Sequence, residues 1–186
     1  MKLFAIYIGG EHERANIELH DMRFVVAPSI RDTYHRLREQ WWGIPRSLHI
    51  DCWAELDQVD GYDVTLRPEP FTGPERLYYV NLGGYAPGEF AELHKNMFLV
   101  AADLAKAKAR ALKSVHGWSQ AHRDDVYEAE QAFDLASAAG EQDLFIHLTP
   151  ASSIRELAVT SDYIPIRVRP PRQVRGAVDP AVRERS

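Results

Sequence analysis

The chain has only one cysteine, Cys52, among its 186 residues, and it has no long apolar run. A single cysteine excludes an intrachain disulfide framework and is typical of proteins from a reducing compartment. The apolar run at residues 3–8 is too short for a signal-peptide core, and no stretch approaches the roughly 20 apolar residues that a membrane span needs. We therefore expect a cytoplasmic protein that does not enter a membrane.

The sequence also lacks a strong excess of one charge and the common catalytic motifs. Its 22 basic and 27 acidic residues give a net charge of -5, and 45% of the residues are hydrophobic, which excludes a disordered chain. It contains neither a Cys-x-x-Cys nor a His-Glu-x-x-His zinc motif. The Gly-Gly pairs at residues 9–10 and 83–84 lack the spacing of phosphate-binding loops, so they do not predict a nucleotide site.

What the sequence does contain is an internal repeat. With a shift of 74 positions, residues 2–43 align without a gap on residues 76–117, and 11 of the 42 positions are identical. The identities include both Gly-Gly pairs, the Glu-Leu-His tripeptides at 18–20 and 92–94, and Arg36 with Arg110. A one-residue slip then places His49-Ile-Asp51 over His122-Arg-Asp124. A period of this length indicates that one structural unit occurs twice.

Each copy has the pattern of a ββαββ unit. In the first copy, the apolar run before Gly9-Gly10 and residues 22–27 predict two strands, and residues 29–42 predict a helix with Ser29 as its N-cap. Asp103 is the expected N-cap in the second copy. Residues 47–56 alternate between apolar and polar side chains, which predicts a third strand, and Asp60-Gly61 is a hairpin turn before the fourth.

These patterns predict an α+β fold made of two tandem ββαββ repeats, packed as a pseudo-twofold pair with antiparallel sheets and one helix per repeat. The first repeat is expected at residues 1–66 and the second at 76–150, with a Pro-rich linker at 67–75. A C-terminal extension follows at 151–186 and ends in a tail rich in arginine and proline. From residue 167 onward this tail carries a net charge of +4, which leaves -9 on the preceding residues.

The strand that ends in Gly-Gly, the Glu-Leu-His tripeptide, the Phe-Val-Val-Ala strand, the Trp-Trp-Gly sequence and the His-x-Asp strand carry a family resemblance. Over about residues 1–150 the chain resembles a bacterial family known as domain of unknown function number 1543. Members of that family carry one or two copies of such a unit. The resemblance implies a duplicated domain in a cytoplasmic, bacterial setting, and it implies no reaction because no activity is established for the family.

Histidines and carboxylates recur at matching positions of the two copies. Residues two apart on a strand lie about 6.6 Å apart on one face, so His49 and Asp51 can converge with His20 on one metal ion. Glu18 or Glu55 could then serve as a general base for metal-activated water. The same residues could instead satisfy a tight loop and form surface hydrogen bonds. The metal-ligand candidates are His20, His49, Asp51, His94, His122 and Asp124.

Trp53 falls on the same predicted strand face as His49 and Asp51, where an aromatic ring beside polar groups is a plausible ligand platform. We therefore expect a non-catalytic binding or interaction module, with no catalytic residues and no cofactor assigned. The alternative is a metal-dependent, hydrolytic enzyme that uses the His/Asp clusters. The predicted binding residues are Glu18, His20, His49, Asp51, Trp53, Glu92, His94, His122 and Asp124.

The partners expected from the sequence are a protein partner or a second copy of the chain. Six arginines follow residue 166, and they could neutralise several phosphates. However, the acidic body would repel a nucleic-acid backbone, and few aromatic residues accompany the arginines. We therefore do not expect nucleic-acid binding.

Overall fold

The structure, a computed structural model, describes residues 1–114 and 129–167, without the side chains of residues 129–133. Antiparallel sheet is its main secondary structure. His122 and Asp124, and the arginine-rich tail after Arg167, lie outside the described residues. The strands and helices are β1 (Lys2–Gly10), β2 (Leu19–Ala27), α1 (Tyr34–Gln40), β3 (His49–Glu55), β4 (Gln58–Val59), β5 (Tyr62–Arg67), β6 (Arg76–Gly84), β7 (Leu93–Ala101), α2 (Leu104–Lys113), β8 (Ala129–Asp134), α3 (Ala136–Gly140), β9 (Phe145–Pro150) and β10 (Val159–Pro165).

The strands form three sheets. The first has the order β10-β3-β1-β2, the second β7-β6-β8, and a small third sheet has the order β4-β5-β9. All the recorded strand pairs are antiparallel. The α+β class with antiparallel sheets and few helices is therefore confirmed.

Alternation along β1 gives the first sheet two apolar faces. Phe4, Ile6 and Ile8 pack against Leu37 of α1 on the outer face. Leu3 on the opposite face joins Leu77 of β6 and residues of the small sheet in a central core. Tyr78 and Val80 of β6 pack against Ala107 and Ala111 of α2 in a third cluster. Each large sheet thus has a helix outside and the shared core inside, which matches strands that read as continuous apolar runs.

The predicted helix at residues 29–42 is wrong in its first turns. Residues Ile30–Thr33 form a 3-10 turn, α1 covers only Tyr34–Gln40, and the Ser29 side chain makes no capping hydrogen bond. The Ser29 hydroxyl instead donates to the carboxylate of Asp32 at 2.7 Å. Asp103 does cap α2, since its carboxylate accepts from the amide of Lys106 at 2.8 Å. The carboxylate cap favours the regular helix in the second copy.

The C-terminal extension contributes a strand to the first sheet. β10 pairs with β3, and the register joins Val159 to Ala54 and Pro165 to His49. β3 is therefore an interior strand, flanked by β1 and β10. Among the described residues, no helix is long and apolar enough to cross a membrane.

Candidate metal centre

Four predicted side chains meet on neighbouring strands of the first sheet. In β1, Gly9 pairs with His20 of β2 on one side and with His49 of β3 on the other. Asp51 follows on β3, and Glu18 immediately precedes β2. The short Gly-Gly exit of β1 thus lies between two histidines that are 29 positions apart in sequence.

The distances within this cluster are short. His20 Nε2 lies 3.7 Å from Glu18 Oε2 and 3.4 Å from Asp51 Oδ2. His49 Nε2 lies 3.3 Å from Glu18 Oε1 and 3.2 Å from Asp51 Oδ1. One ligand atom from each of Glu18, His20 and His49 lies within 4.8 Å of the other two. Four ligands about 2.1 Å from a tetrahedral zinc ion are about 3.4 Å apart, so the nitrogen–oxygen spacing suits such an ion.

His49 is buried, and its ring has a fixed orientation. Its exposed fraction is 1%, and Nδ1 lies 2.9 Å from the carbonyl oxygen of Ser47. Because a carbonyl oxygen can only accept, Nδ1 carries a proton and donates it, which leaves the Nε2 lone pair to face the cluster in the neutral ring. Metal-binding histidines are commonly held in this way by a backbone carbonyl.

Two buried polar atoms of the cluster have no hydrogen-bond partner within the described part of the chain. They are His49 Nε2 and Asp51 Oδ2, and both face the space between the histidines. The carboxylate oxygens are close to His49 Nε2, but these approaches lack hydrogen-bond geometry. A buried polar atom without a partner is costly, so the free energy of folding bears a penalty at both of these atoms.

Gly9 leaves the room in which the side chains converge. A Cβ at this position would lie 2.7 Å from His49 Nε2, 2.9 Å from His20 Cδ2 and 3.0 Å from Asp51 Oδ2. The two distances to the histidines are shorter than real Cβ contacts, so any other residue would displace these rings. Steric space, and not an unusual backbone angle, explains the glycine here.

Two tyrosine rings flank the histidines. Tyr7 stacks on His20 with ring centroids 5.2 Å apart, and Tyr163 of β10 lies over His49 at 4.4 Å. Burial, and then the negative charge of Asp51, raises the pKa of Tyr7. Tyr7 therefore stays neutral near pH 7.

A β-bulge in β3 occurs at Asp51 and changes the face that the residues after it occupy. Tyr7 pairs with Cys52 and Ile8 pairs with Ile50, so Asp51 is an extra residue without a partner on β1. A bulge of this kind shifts the alternation of side chains and is common beside functional sites. Sequence alternation alone does not reveal it.

The bulge overturns the predicted position of Trp53. Its backbone pairs with Ile6, its ring contacts Phe4 at 5.7 Å, and it packs with the outer core. Trp53 therefore lies on the face opposite His49 and Asp51. Glu55 is also wrong as a general base for this site, because it lies near the far end of β3, where Lys2 Nζ approaches it at 2.6 Å.

The matching positions of the second copy form a different arrangement. Gly83 pairs with His94 as Gly9 pairs with His20, but His94 Nε2 lies 3.9 Å from Glu92 and Nδ1 lies 3.3 Å from the Asn81 amide oxygen. The His94 side chain is 47% exposed. Among the described residues, Glu18, His20 and His49 form the one group with metal-ligand spacing.

The structure also corrects the alignment of the third strands. Leu56 donates its backbone amide to Leu3, and Leu135 donates in the same way to Leu77. A register shift matching the bulge of β3 occurs in β8 beside Asn81, so Glu130 occupies the position of Asp51. The offset is 79 residues and not the 73 that placed His122 over His49. His122 and Asp124 lie outside the described residues.

Sequence reasoning missed three residues of this centre. The Gly9-Gly10 pair indicates only the end of a strand, Ser47 belongs to no motif, and Tyr163 falls in the C-terminal extension at residues 151–186, ahead of the arginine-rich tail. The shared Glu/Asp-Leu sequence at residues 55–56 and 134–135 was a signal for the true alignment. The position of Tyr163 depends on pairing between β3 and β10, for which the sequence offers no local signal.

Comparisons with known proteins agree with the resemblance that the motifs carry. The family model described as Domain of Unknown Function (DUF1543) matches residues 15–66, which include all four residues of the cluster. No curated protein matches the chain. A solved structure, the protein Il1583 from Idiomarina loihiensis, is similar with 31% sequence identity and a TM-score of 0.66, over 90% of this chain and 99% of that one. The chain therefore belongs to the DUF1543 family.

Proposed function

We propose that this protein binds one divalent transition-metal ion through His20, His49 and Glu18, with Asp51 as a further ligand. The observation that carries the proposal is the buried Nε2 atom of His49, which is fixed by Ser47 and has no hydrogen-bond partner among the described residues. A metal ion supplies the partner that this nitrogen lacks.

The competing explanation is a protonated His49 held between two carboxylates without an ion. That explanation requires an N–H hydrogen bond to an oxygen of Glu18 or Asp51, and the atoms lack this geometry. It also offers no reason for Gly9, whose missing Cβ leaves space where the ligand atoms meet. A metal ion accounts for both observations.

The ligand chemistry favours zinc, iron(II), cobalt or nickel over magnesium or calcium. Imidazole nitrogen is a ligand for the first group, whereas magnesium and calcium prefer oxygen ligands only. Glu18 and His20 are 46% and 34% exposed, so one side of the centre faces solvent. Solvent access leaves room for an exchangeable water on the ion.

The binding-module hypothesis thus takes a narrower form, in which the bound species is a metal ion in a cytoplasmic protein. Metal-dependent hydrolysis is the second candidate, and the open side of the centre favours it. In this second candidate His20, His49 and Asp51 would hold the ion, which lowers the pKa of a bound water, and Glu18 would be the carboxylate close enough to accept that water's proton.

We also propose that the two copies arose by duplication and pack about a pseudo-twofold axis. The pairing of β5 with β9 supports this, because Thr65 pairs with His147, its counterpart in the aligned strands. The flanking pairs are reciprocal, since Val64 pairs with Leu148 and Leu66 pairs with Ile146. An axis between Thr65 and His147 would produce this register.

A reciprocal pair of ion contacts gives further support. Arg110 of α2 makes two hydrogen bonds to Asp60 in the turn before β5, both at 2.7 Å. Its counterpart Arg36 lies in α1 and pairs with Glu141, close to the turn before β9. Each arginine therefore reaches from its own copy to the other copy, as a twofold arrangement requires.

Metal analysis of protein purified without chelator tests the proposed function. We expect about one zinc, iron, cobalt or nickel ion per chain, and an affinity at least 100-fold weaker in His20→Gln and His49→Gln. The His94→Gln variant is the matched control, because it removes the equivalent histidine of the second copy and should bind normally. A metal-free protein that takes up no ion when metals are added would refute the proposal.

A further inference from the structure

An open groove of about 990 Å³ lies along α1, away from the metal centre residues. The 3-10 turn and α1 line it together with the end of β2, and Pro165 and Arg167 contribute from the C-terminal extension. None of the four residues of the metal cluster lines this groove. Its function is therefore a separate question.

The groove has a basic lining. Arg31, His35 and Arg38 follow one another at intervals of four and three residues, which places them on one face of the helical segment. Arg38 Nη1 donates to the carbonyl oxygen of Arg167 at 3.4 Å, so the two residues are neighbours. Three guanidinium-bearing residues and one histidine therefore line the same concave surface.

These guanidinium groups differ from the others on the helices. Arg36 pairs with Glu141 and Arg110 pairs with Asp60. Within the described part of the chain, however, no carboxylate lies within ion-pair distance of Arg31, Arg38 or Arg167. The acid in the lining, Asp32, already accepts a hydrogen bond from the Ser29 hydroxyl.

Unpaired arginines in a shared groove are unexpected in a chain whose net charge is -5. Positive groups that lie close together repel one another, and an anion between them would offset this cost. The planar guanidinium matches the oxygens of a phosphate. Arg31 of the 3-10 turn and Arg38 of α1 are about 10–12 Å apart along the helical axis. This span suits two linked phosphate groups better than one.

We propose that this groove binds a small molecule that carries a diphosphate or a longer polyphosphate, with Arg31, Arg38 and Arg167 as its ligands. His35 lies between the first two arginines and adds a hydrogen-bond donor. This site does not depend on the metal centre, and either one can exist without the other.

Calorimetric titration with inorganic pyrophosphate tests the proposal. We expect binding that weakens at least tenfold in the Arg31→Gln/Arg38→Gln double variant and at least threefold in Arg38→Lys, which keeps the charge but loses the planar fork. Arg67→Gln is the matched control, since Arg67 is also exposed and lies on β5 outside the groove. This variant should bind pyrophosphate with an affinity within twofold of that of the parent protein.

Two further arms keep the result specific. The first arm repeats the titration on His20→Gln, which alters the metal centre but retains the groove. If pyrophosphate binds in the groove, its affinity for this variant is unchanged. If it binds instead to an ion at the metal centre, its affinity falls. The second arm uses a single-stranded RNA oligomer. Tighter binding to RNA than to pyrophosphate through the same arginines, or an equal loss in Arg67→Gln, would overturn the proposal. Thermal unfolding of each variant verifies that it is folded.

Discussion

The two copies place a Glu-Leu-His tripeptide beside equivalent strands, but they surround its histidine differently. His20 faces Gly9, Asp51 and the buried His49, whereas His94 contacts Asn81 and Glu92 and is 47% exposed. In both copies the first histidine is positioned by the first two strands, β1 and β2 or β6 and β7. The chemistry of the site depends on the third strand, which carries His49 and Asp51 only in the first sheet.

The two sheets also differ in whether another strand pairs with the outer edge of the third strand. In the first sheet β10 covers β3 and brings Tyr163 over His49. In the second sheet, among the described residues, no strand pairs with the outer edge of β8. A covering strand explains why His49 is 1% exposed, and burial makes its unpartnered nitrogen costly, which is the basis of the proposed metal ligand.

The largest expected effect comes from Gly9→Ala, compared with Gly83→Ala at the matching position. The new Cβ would lie 2.7 Å from His49 Nε2 and push the ligand atoms apart. We expect at least a 100-fold loss of metal affinity in Gly9→Ala and little change in Gly83→Ala, as measured by competition with a chromophoric chelator. Equal losses in both variants would mean that the copies do not differ as described.

The reciprocal arginines provide the next comparison. Arg110→Met removes two hydrogen bonds to Asp60 and one to the Val100 carbonyl, and we expect a loss of about 1–2 kcal/mol in the free energy of unfolding after allowance for solvent screening. Arg36→Met should cost less, because its carboxylate partners Glu39 and Glu141 are 63% and 49% exposed, whereas Asp60 is 21% exposed. Urea unfolding measures both, and a larger loss in Arg36→Met would contradict the comparison.

Removing the covering ring should have a moderate effect. In Tyr163→Ala the His49 ring loses its neighbour at 4.4 Å and becomes more accessible to water. We expect metal affinity to fall about threefold to tenfold, through faster dissociation, which stopped-flow chelation can measure. Tyr85 is another exposed tyrosine, so Tyr85→Ala serves as the control. This variant should leave the dissociation rate of the metal ion unchanged.

The smallest effect concerns Tyr79, which stands where the first copy has Ala5. Burial raises the pKa of Tyr79 to about 12, and its hydroxyl donates to Asn96 at 2.7 Å. Because the folded pKa exceeds the usual value near 10, this contribution to stability is complete below pH 10 and is lost as the pH rises towards 12. Tyr79→Phe should therefore show a shallower fall in stability between pH 10 and 12 in urea titrations.

Local patterns in the sequence predict much of this structure. The apolar runs before the Gly-Gly pairs correspond to β1 and β6, the next strands to β2 and β7, and Asp103 to a helix cap. The grouping of Glu18, His20, His49 and Asp51 was also predicted, because residues on adjacent strands of an antiparallel sheet come together at a common end. These features depend on short-range periodicity.

Features that depend on register were not predictable. A bulge adds a residue without changing the polar and apolar alternation, so Trp53 was assigned to the wrong face. The third strands are 79 residues apart in sequence because the second copy contains an insertion before its third strand. The chance match of His-x-Asp at residues 122–124 hides this insertion in the sequence alignment. The burial of His49 requires β10, which pairs with β3 across more than 100 residues of chain.

The pairing of β5 with β9 has a consequence for how the molecule comes apart. This small sheet takes strands from both copies, and their side chains lie in the central core. Neither copy can unfold without exposing the other's edge strand and apolar face. We therefore expect a single cooperative melting transition in calorimetry. For the same reason, the two halves should stay associated after protease cleavage between β5 and β6, within residues 68–75.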